Sequence, residues 1–434
     1  MQSGFALRFL LLFTPILAFS QKKIITYYET GEIKEEYSVL DNDSSRLDGI
    51  YKMYDRKGNI ILTGHYEDSD REGAFKNLYS DGSLQRETFY KKNLKQGKTR
   101  VFDEAGNLIQ EATFQNDTLM GAVNVYDSEG RIKRESTFKN GKPEGLVTSY
   151  YPGGSKKEEV FYRDGKPNGT TRKFYEAGNL MLEANYINGL LNGHYKTYYP
   201  SGKLEMEVMN SQGKRSGYQK TYYENEQLRS SGTYVDGSLE GDYRVYFDNG
   251  APKSEYTYAN GRRVGKSLDY YENGSKRLET SFSNEGLNAM IREFDEMGNL
   301  IAEKELANEL PHGTWKTFDT KGRLLMEEAY EKGKLHGKRV VYQNGNKLSE
   351  TTYRYGKKYG PYHEYFPNGK TKVEANYELD NLHGSYTYYH KNGKVEYQGE
   401  YVRNKRNGTW SYFDKQGDLI EEIKYKFGEV IEEK

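Results

Sequence analysis

Glutamate recurs in this sequence at a regular interval, and a ladder of carboxylates could bind cations or basic ligands. A basic residue stands eleven positions before several of these glutamates, as Lys76 does before Glu87. Ion pairs across neighbouring strands would explain the pattern without a ligand. We predict this structural role, although Asn124 stands at the same distance before Glu135. The glutamates of the series are Glu87, Glu111, Glu135, Glu159, Glu183, Glu207, Glu255, Glu279, Glu303, Glu327, Glu374 and Glu422.

Histidine and aspartate could supply metal ligands, but their placement argues against it. His312 and His336 are 24 residues apart, and in a stack of hairpins they are expected about 10 Å from each other. One metal ion with bonds of about 2 Å cannot bind both. Asp41, Asp43 and Asp48 resemble part of a calcium loop, but the glycine and the closing glutamate of such a loop are missing. We therefore predict no metal site and no cofactor.

The sequence also lacks the signs of a catalytic centre. It contains no nucleophile elbow, phosphate-binding loop or zinc-binding helix motif. It has no cysteine, which excludes thiol catalysis and cysteine-ligated zinc. Lysine plus arginine number 64 and aspartate plus glutamate 64, so the balanced charge gives no reason to expect nucleic acid as a partner. We predict that the protein is not an enzyme.

The recurring residues belong to a repeat of 24 residues that runs through most of the chain. One glycine marks the period, Ala289 takes its place once, and a one-residue deletion near Gln343 shifts the later copies. Positions are numbered from this repeat glycine, so that position +5 lies five residues after it. A period of this length indicates a repeat architecture. The repeat glycines are Gly49, Gly73, Gly97, Gly121, Gly145, Gly169, Gly193, Gly217, Gly241, Gly265, Gly313, Gly337, Gly360, Gly384 and Gly408.

Each repeat carries the signals of one tight hairpin. An aromatic residue occupies position +5 in nearly every repeat, and a second glycine follows at +9, often after Asn or Asp. Asn-Gly between apolar runs indicates a type I′ turn, which needs positive φ at both central residues. A further aromatic residue stands at +17, as Tyr66 and Tyr90 do. We expect the repeat glycine itself to turn the chain into the next hairpin.

The predicted turn also determines which residues face each other. Positions that add up to 17 should be opposite, which places a large residue at +2 against a small one at +15, as for Phe75 and Thr88. Trp315, opposite Glu328, is an exception. Because alternate residues point to the same side, the aliphatic residue at +11 should share the face of +2 and +17. The aromatic residue at +5 should lie on the other face, with the charged residues at +3 and +14.

A single hairpin is marginally stable in water, so each repeat must pack against its neighbours. We predict an all-β fold, an elongated single-sheet solenoid of about 16 stacked 24-residue β-hairpin repeats. Tyrosine must supply much of the apolar packing, because the chain has 42 tyrosines but only 35% hydrophobic residues. A parallel β-helix is the structural alternative, and the turns at the half-period favour hairpins over it.

The repeat resembles the MORN-repeat variant of bacterial proteins, some of which are named YwqK-type antitoxin components. It reads Y-Y-x-N-G-x-L-x-x-E-x-x-Y-x-x-G-x-x-x-G-x-W/Y, and residues 174–195 and 365–386 show it well. The resemblance covers about residues 24–428. It implies an elongated all-β repeat structure with interaction or scaffolding roles.

The first 20 residues differ from the rest of the chain. Arg8 precedes an apolar run over residues 9–19, and the small residues Ala18 and Ser20 fit cleavage before Gln21. We predict a signal peptide over residues 1–20, no transmembrane segment, and export to the periplasm, the cell surface or the medium. An amphipathic or buried N-terminal helix is the alternative. The rest divides into a repeat array over residues 21–282, an irregular repeat over 283–312 and a second array over 313–434.

Regularly spaced aromatic residues suggest a binding surface, because such ladders stack on sugars or cationic groups. We predict an exported, non-enzymatic scaffold that binds a protein or a cell-envelope component through an extended β face. One alternative is a glycan-binding or cell-wall-binding module. Another is an antitoxin or immunity component, although neutralising a cytoplasmic toxin would need no export signal. The candidate surface comprises Trp315, Trp410, Tyr365, Tyr389, Tyr198 and Tyr222.

Overall fold

The protein is built almost entirely of antiparallel β-strands. The computed structural model describes residues 21–433, so the predicted signal peptide lies outside the described residues. The chain divides into two compact units, Met1–Gly202 and Lys203–Lys434. Within each unit the strands pair with their neighbours in sequence and form stacked hairpins. This confirms the predicted all-β hairpin repeat and excludes the parallel β-helix, while the predicted division at residues 283 and 313 stays a prediction.

The strands follow the period of the sequence. The first unit contains β1 (Gln21–Tyr27), β2 (Ile33–Leu40), β3 (Asp43–Tyr54), β4 (Ile60–Glu67), β5 (Asp70–Leu78), β6 (Leu84–Lys91), β7 (Leu94–Phe102), β8 (Leu108–Gln115), β9 (Thr118–Tyr126), β10 (Ile132–Lys139), β11 (Lys142–Pro143), β12 (Gly145–Tyr150), β13 (Lys156–Arg163), β14 (Lys166–Phe174), β15 (Leu180–Ile187) and β16 (Leu190–Tyr198). The second unit contains β17 (Leu204–Ser211), β18 (Lys214–Tyr222), β19 (Leu228–Val235), β20 (Ser238–Tyr246), β21 (Pro252–Ala259), β22 (Arg262–Tyr270), β23 (Lys276–Ser283), a short 3-10 helix (Asn284–Gly286), β24 (Asn288–Phe294), β25 (Leu300–Ala307), β26 (Leu310–Phe318), β27 (Leu324–Glu331), β28 (Lys334–Gln343), β29 (Asn346–Arg354), β30 (Lys357–Tyr365), β31 (Thr371–Glu378), β32 (Asn381–Tyr389), β33 (Val395–Val402), β34 (Lys405–Phe413), β35 (Leu419–Lys426) and β36 (Glu429–Glu433).

The two ends of a hairpin use different turns. The type I′ turn was predicted at the half-period, but it lies between successive repeats. At the half-period the C=O of Asp55 accepts the N–H of Gly58, and the N–H of Asp55 donates to the C=O of Asn59. Positive φ occurs there only at Gly58, at 86°. This is a three-residue loop with a type I turn and a bulge. The type I′ turn joins successive repeats, where Asn140 and Gly141 have φ of 51° and 75°.

The repeat glycine lies inside a strand, so the prediction that it turns the chain is wrong. On strands β4 and β5, Thr63 faces Lys76 and His65 faces Glu72. The chain thus advances two residues on β4 but four residues on β5 between these two pairs. Two extra residues therefore bulge from β5 beside Gly73, whose φ is 74°. The repeat glycines of the described chain all have φ between 62° and 125°. Residues with a Cβ atom rarely adopt this conformation, which explains the choice of glycine.

The repeat with Ala289 in place of the glycine has no such bulge. Strands β23 and β24 pair without a register shift up to Ser283 opposite Asn288. The loop between them contains the 3-10 helix and is two residues longer than the two-residue type I′ turn. Alanine disfavours the positive φ that the bulge requires. The two residues that bulge from the strand in other repeats therefore lie in the loop here.

The register of the hairpins is as predicted except beside the half-period turn. Phe75 faces Thr88, so their positions add up to 17. Leu78 at +5 instead faces Leu84 at +11, one residue out of that register. Residues directly opposite point to the same side, and a shift of one residue changes the side. The prediction that +11 shares the face of +2 is therefore wrong, and +11 lies on the face of +5.

Each sheet thus has two faces of different composition. We call the face of positions −2, +2, +4, +13, +15 and +17 the ring face, and the face of +1, +3, +5, +11, +14 and +16 the ion-pair face. On the ring face Phe75 is 4% exposed, and its ring centroid lies 5.4 Å from that of Tyr66 and 5.2 Å from that of Tyr90. Gly64, at +15 of the preceding repeat, leaves the space that the Phe75 ring fills. Large and small residues therefore interlock between successive repeats.

Backbone and side-chain hydrogen bonds also join successive repeats at both edges. The N–H of Asn93, in one type I′ turn, donates to the C=O of Arg71 just after the previous turn, at 3.1 Å. At the opposite edge the hydroxyl of Tyr79 donates to the C=O of Phe102 in the next repeat, at 2.9 Å. Each hairpin is therefore tied to its neighbours by more than ring packing.

Gly145 and Gly153 allow a test of the role of positive φ within one repeat. No atom would contact a Cβ at either glycine, but only Gly145 has positive φ, at 82°. We expect Gly145→Ala to lower the free energy of local opening of β12 and β13 by roughly 1–2 kcal/mol, because alanine disfavours that φ. Hydrogen exchange of the amides in these strands measures this free energy. Gly153→Ala should change it by less than about 0.5 kcal/mol or raise it, and an equal loss in both variants would contradict the assignment.

Candidate functional site

The ion-pair face carries a ladder of charges that the protein neutralises itself. Nε of Arg100 lies 2.9 Å from Oε2 of Glu111, its partner across the hairpin, and Nη1 lies 3.8 Å from Oε2 of Glu87 in the preceding repeat. Arg172 and Glu183 form the same pair at 2.8 Å, as Lys76 and Glu87 do at 3.7 Å. The predicted cross-strand ion pairs are confirmed for Glu87, Glu111 and Glu183.

Tyrosine binds two of the glutamates that lack a lysine or arginine at +3. The hydroxyl of Tyr150, at +5, donates to Oε1 of Glu135 in the preceding repeat, at 2.6 Å. This glutamate is the one that faces Asn124, which the ion-pair rule did not explain. The same bond joins Tyr389 to Glu374 at 2.9 Å. The +5 tyrosines therefore lie on the ion-pair face, as predicted, and connect each repeat to the one before it.

Contacts on this face raise the pKa values of two tyrosines and lower that of one glutamate. The hydrogen bond to Glu135, together with burial, raises the pKa of Tyr150 to about 12. Burial and the hydrogen bond to Glu374 raise the pKa of Tyr389 to about 12. The amine of Lys98, followed by the guanidinium of Arg100, holds the pKa of Glu111 below its usual value. At neutral pH the hydroxyls of Tyr150 and Tyr389 therefore keep their protons, and Glu111 is ionised.

The six residues of the predicted binding surface do not share one surface. The four tyrosines, Tyr198, Tyr222, Tyr365 and Tyr389, occupy +5 on the ion-pair face and are half-buried. The hydroxyl of Tyr222 donates to Glu207 at 3.2 Å, and burial with the nearby Glu207 charge raises its pKa to about 12. The hydroxyls of Tyr222 and Tyr389 therefore make hydrogen bonds within the sheet.

The two tryptophans belong to the ring face and pack inside it. Trp410 is 0% exposed, and its indole N–H donates to the C=O of Glu400 at 3.2 Å. Trp315 is half-buried, its ring centroid lies 4.7 Å from that of Tyr330 with the ring planes tilted by 40°, and its N–H donates to the C=O of Glu305. The Trp410 ring therefore has no surface to offer a ligand in this structure, and Trp315 has only part of one.

A row of exposed side chains on the ion-pair face was missed by the sequence reasoning. Positions +1 and +16 are opposite each other beside the repeat glycine, as Leu146 and Phe161 are. These two residues are 49% and 40% exposed, and Ile50 and Phe89 of the same row are 61% and 38% exposed. The alternation of the strands places this row on one face. Its residues vary from repeat to repeat, which is why the search for constant columns did not find it.

The candidate metal ligands are spread over several strands. Nε2 of His336 lies 3.7 Å from Glu331, and Nε2 of His383 lies 3.7 Å from Glu378. Asp43, at the start of β3, accepts the N–H and the hydroxyl of Ser45. Among residues 21–433 no group of three or more His, Asp and Glu side chains is placed to hold a metal ion. Over the same range the structure has no helix with the length and hydrophobicity to cross a bilayer.

The bond between Tyr389 and Glu374 predicts a pH dependence. The folded-state pKa of Tyr389, about 12, lies above the value of about 10 for an unfolded chain. Its contribution to stability is therefore complete below about pH 10 and is lost as the pH rises to about 12. We expect Tyr389→Phe to lower the urea midpoint of unfolding at pH 8, and the gap from the wild type to narrow between about pH 10 and 12.

The matched control for this titration is Tyr27→Phe, because Tyr27 is 59% exposed. This variant should follow the wild-type midpoint throughout the alkaline range. A gap between wild type and Tyr389→Phe that stays constant up to pH 12 would contradict the assigned role of the Tyr389 hydroxyl.

Solved structures of much longer chains show a distant likeness. The crystal structure of TcdB2-TccC3-Cdc42 aligns with a TM-score of 0.13 and 11% identity, over 94% of this chain and 27% of that one. The Tc holotoxin pore of Photorhabdus luminescens aligns with a TM-score of 0.14 and 11% identity, over 93% of this chain and 25% of that one. The chain thus spans about a quarter of the length of those chains. No curated protein matches it.

The sequence family is clear from the repeats themselves. The family model described as the MORN repeat variant matches eleven segments, which together make up more than half of the 434 residues. The matched segments are residues 47–68, 71–92, 95–116, 143–164, 167–188, 191–209, 215–236, 239–260, 358–379, 382–403 and 406–427. Each matched segment includes the aromatic residue at +17 of the ring face, except residues 191–209, which end one residue before that position. The chain belongs to the MORN repeat variant family.

Proposed function

We propose that the protein is an exported, non-enzymatic scaffold that binds a protein or a component of the cell envelope along its ion-pair face. The observation that carries the proposal is the row of exposed side chains at +1 and +16. A repeat sheet of this family suits a binding role, because it presents side chains over a long, rigid surface. Export is supported by the signal-peptide pattern in residues 1–20.

The row has the composition of a protein-binding surface in the first unit. Leu146 and Phe161 are exposed side by side, with Ile50 and Phe89 exposed in earlier repeats of the same row. Exposed apolar residues next to each other indicate an interaction site. The paired charges at +3 and +14 flank the row, so that an apolar centre is bordered by a polar rim.

The rigidity of the row favours binding. Phe161 stands on β13, which pairs on both sides with neighbouring strands. A partner therefore meets side chains that are already ordered, and less conformational entropy is lost on association than with a flexible loop. The ring face offers less to a large partner, because its rings are used in packing on one another.

The row can be tested by making two of its apolar residues polar. We expect Leu146→Ser with Phe161→Ser to remove the partner that full-length wild-type protein captures from an envelope extract, because the apolar centre of the surface is lost. Mass spectrometry of the captured material identifies the partner, and binding of that purified partner is then measured by calorimetry. A loss of at least about tenfold in affinity is expected.

The matched control uses another exposed apolar pair of the same unit. Ile187 and Leu190 face each other at a type I′ turn and are 51% and 53% exposed. Ile187→Ser with Leu190→Ser should keep the affinity within about twofold. Equal binding by both double variants would reject the row as the binding surface. Retention of the wild type on purified polysaccharide alone, unchanged in both variants, would favour a glycan-binding module instead.

Export is tested by the N-terminus of the mature protein. Cleavage after Ser20 should leave Gln21 as the first residue, because small residues stand at the two recognition positions before it. N-terminal sequencing of protein from fractionated cells measures this directly. A protein that starts at Met1 and is found only with cytoplasmic markers would contradict the export proposal and leave the binding surface to be judged on its own.

A further inference from the structure

The ring face of the first unit contains a depression in which positive charge is not neutralised. The depression lies over strands β4 to β7, and its lining includes Arg71, Arg86 and Lys95. Within residues 21–433 no carboxylate lies within 4.0 Å of the charged nitrogens of these three side chains, since none of the ion pairs involves them. No acidic residue lines the depression in the part of the chain that the structure describes.

Aromatic rings hold two of these cations in place. The guanidinium of Arg71 lies 4.1 Å from the ring centroid of Tyr90, and Nζ of Lys95 lies 5.1 Å from that of Phe114. A cation on a ring face is attracted by the ring quadrupole but keeps its full charge. The guanidinium also donates to the C=O of Asn93 at 3.2 Å, which fixes its direction. These cations are therefore ordered without a counter-charge.

The contrast with the other face of the same strands is marked. On the ion-pair face Arg100 of β7 lies between Glu87 and Glu111. On the ring face the residues of β3 to β10 at the defined positions include no aspartate or glutamate. The nearest acid along that face, Glu35 on β2, accepts the hydroxyl of Tyr51 at 3.0 Å. A concave surface lined by one sign of charge concentrates its potential and attracts ions of the opposite sign.

The remaining lining adds neutral hydrogen-bonding groups and an aromatic wall. Thr88 and Thr99 face each other across β6 and β7, and Asn77 faces Arg86 across β5 and β6. The rings of Phe75 and Tyr90 line the same depression. Small-ligand sites typically combine apolar walls with a few placed polar groups. Hydroxyl and amide groups beside an aromatic wall suit a compact ligand that has its own hydroxyls.

We propose that this depression binds an oxyanion, a phosphate, sulfate or carboxylate group carried on a small hydroxyl-bearing ligand such as a sugar. Arg86 supplies paired N–H donors that match the geometry of such groups, Arg71 adds the N–H groups that do not donate to Asn93, and Lys95 adds a point charge. The threonines and Asn77 are placed to bond hydroxyls of the ligand. This site is on the opposite face from the row at +1 and +16 and does not depend on the proposed scaffold function.

The test is calorimetry of the full-length protein with defined probes. The probes are inorganic phosphate, sulfate, glucose 6-phosphate, glucuronate and, as the neutral control, glucose. We expect saturable binding of the charged probes, weakened by added salt, and no binding of glucose. Tighter binding of glucose 6-phosphate than of phosphate would place the sugar in the site, and equal binding would limit recognition to the oxyanion.

Variants separate the site from a general effect of positive charge. Arg86→Gln and Lys95→Met should each weaken binding of the charged probes by about tenfold or more, because one charge-assisted contact is lost. Methionine keeps an apolar stem against the Phe114 ring, so the packing there is preserved. The matched control is Arg134→Gln, because Arg134 is exposed at the same position, +13, outside the depression. It should leave the affinity within about twofold.

Circular dichroism and the urea midpoint establish that each variant is folded. Because Arg86 is exposed and Lys95→Met keeps its packing, at least one informative variant is expected to fold like the wild type. The proposal is overturned if no charged probe binds saturably at low salt, if glucose binds as well as its phosphate, or if Arg86→Gln and Arg134→Gln bind alike.

Discussion

The structure depends on the packing of aromatic rings between hairpins that cannot bury a core alone. The side chains on one face of an isolated two-stranded hairpin stay exposed to water, because the hairpin has no second layer to bury them. Phe75 therefore fills the space over Gly64 of the preceding repeat and meets the rings of Tyr66 and Tyr90. Because the contact is made with the neighbour, each repeat supplies part of the core of the next, and stability grows with the number of repeats.

Within strands β3 to β10 the two faces treat charge differently. On the ion-pair face long charged side chains pair with each other, as Arg100 does with Glu111. On the ring face a cation is useful as a cover, because its stem packs on an aromatic ring while its charge stays near the solvent. Arg71 over Tyr90 and Arg406 over Trp410, at 4.3 Å, show this use. A cationic side chain that packs on an aromatic ring needs no carboxylate partner. Several such side chains can therefore lie close together, as they do around Arg71.

The sequence predicts the features that recur in every repeat, because a period makes weak signals add up. The hairpins, the pairing of +2 with +15 and the ion pairs of +3 with +14 followed from the columns alone. The types of the turns could not be predicted, because Asn-Gly and Asp-Gly pairs occur at both ends of the hairpin. The backbone distinguishes the two ends: at the half-period only Gly58 has positive φ, whereas between repeats both Asn140 and Gly141 have it. The exposed row at +1 and +16 and the cations around Arg71 differ from repeat to repeat, so no column could reveal them.

The two irregular repeats show what the fold conserves when the sequence changes. Where Ala289 cannot take positive φ, the bulge disappears and the residues move to the loop before β24. Where one residue is lost near Gln343, Asn344 and Gly345 form a two-residue turn in place of the three-residue one. In both places the inner pairs keep their partners, as Glu279 keeps Arg292 and Val341 keeps Ser349. The inner residue pairs stay the same because each lies between two strands that also pair with other strands. Turns and bulges belong to one repeat, so a change in the number of residues alters them instead. Variation for binding is therefore expected where side chains are exposed, as Leu146 and Phe161 are at +1 and +16.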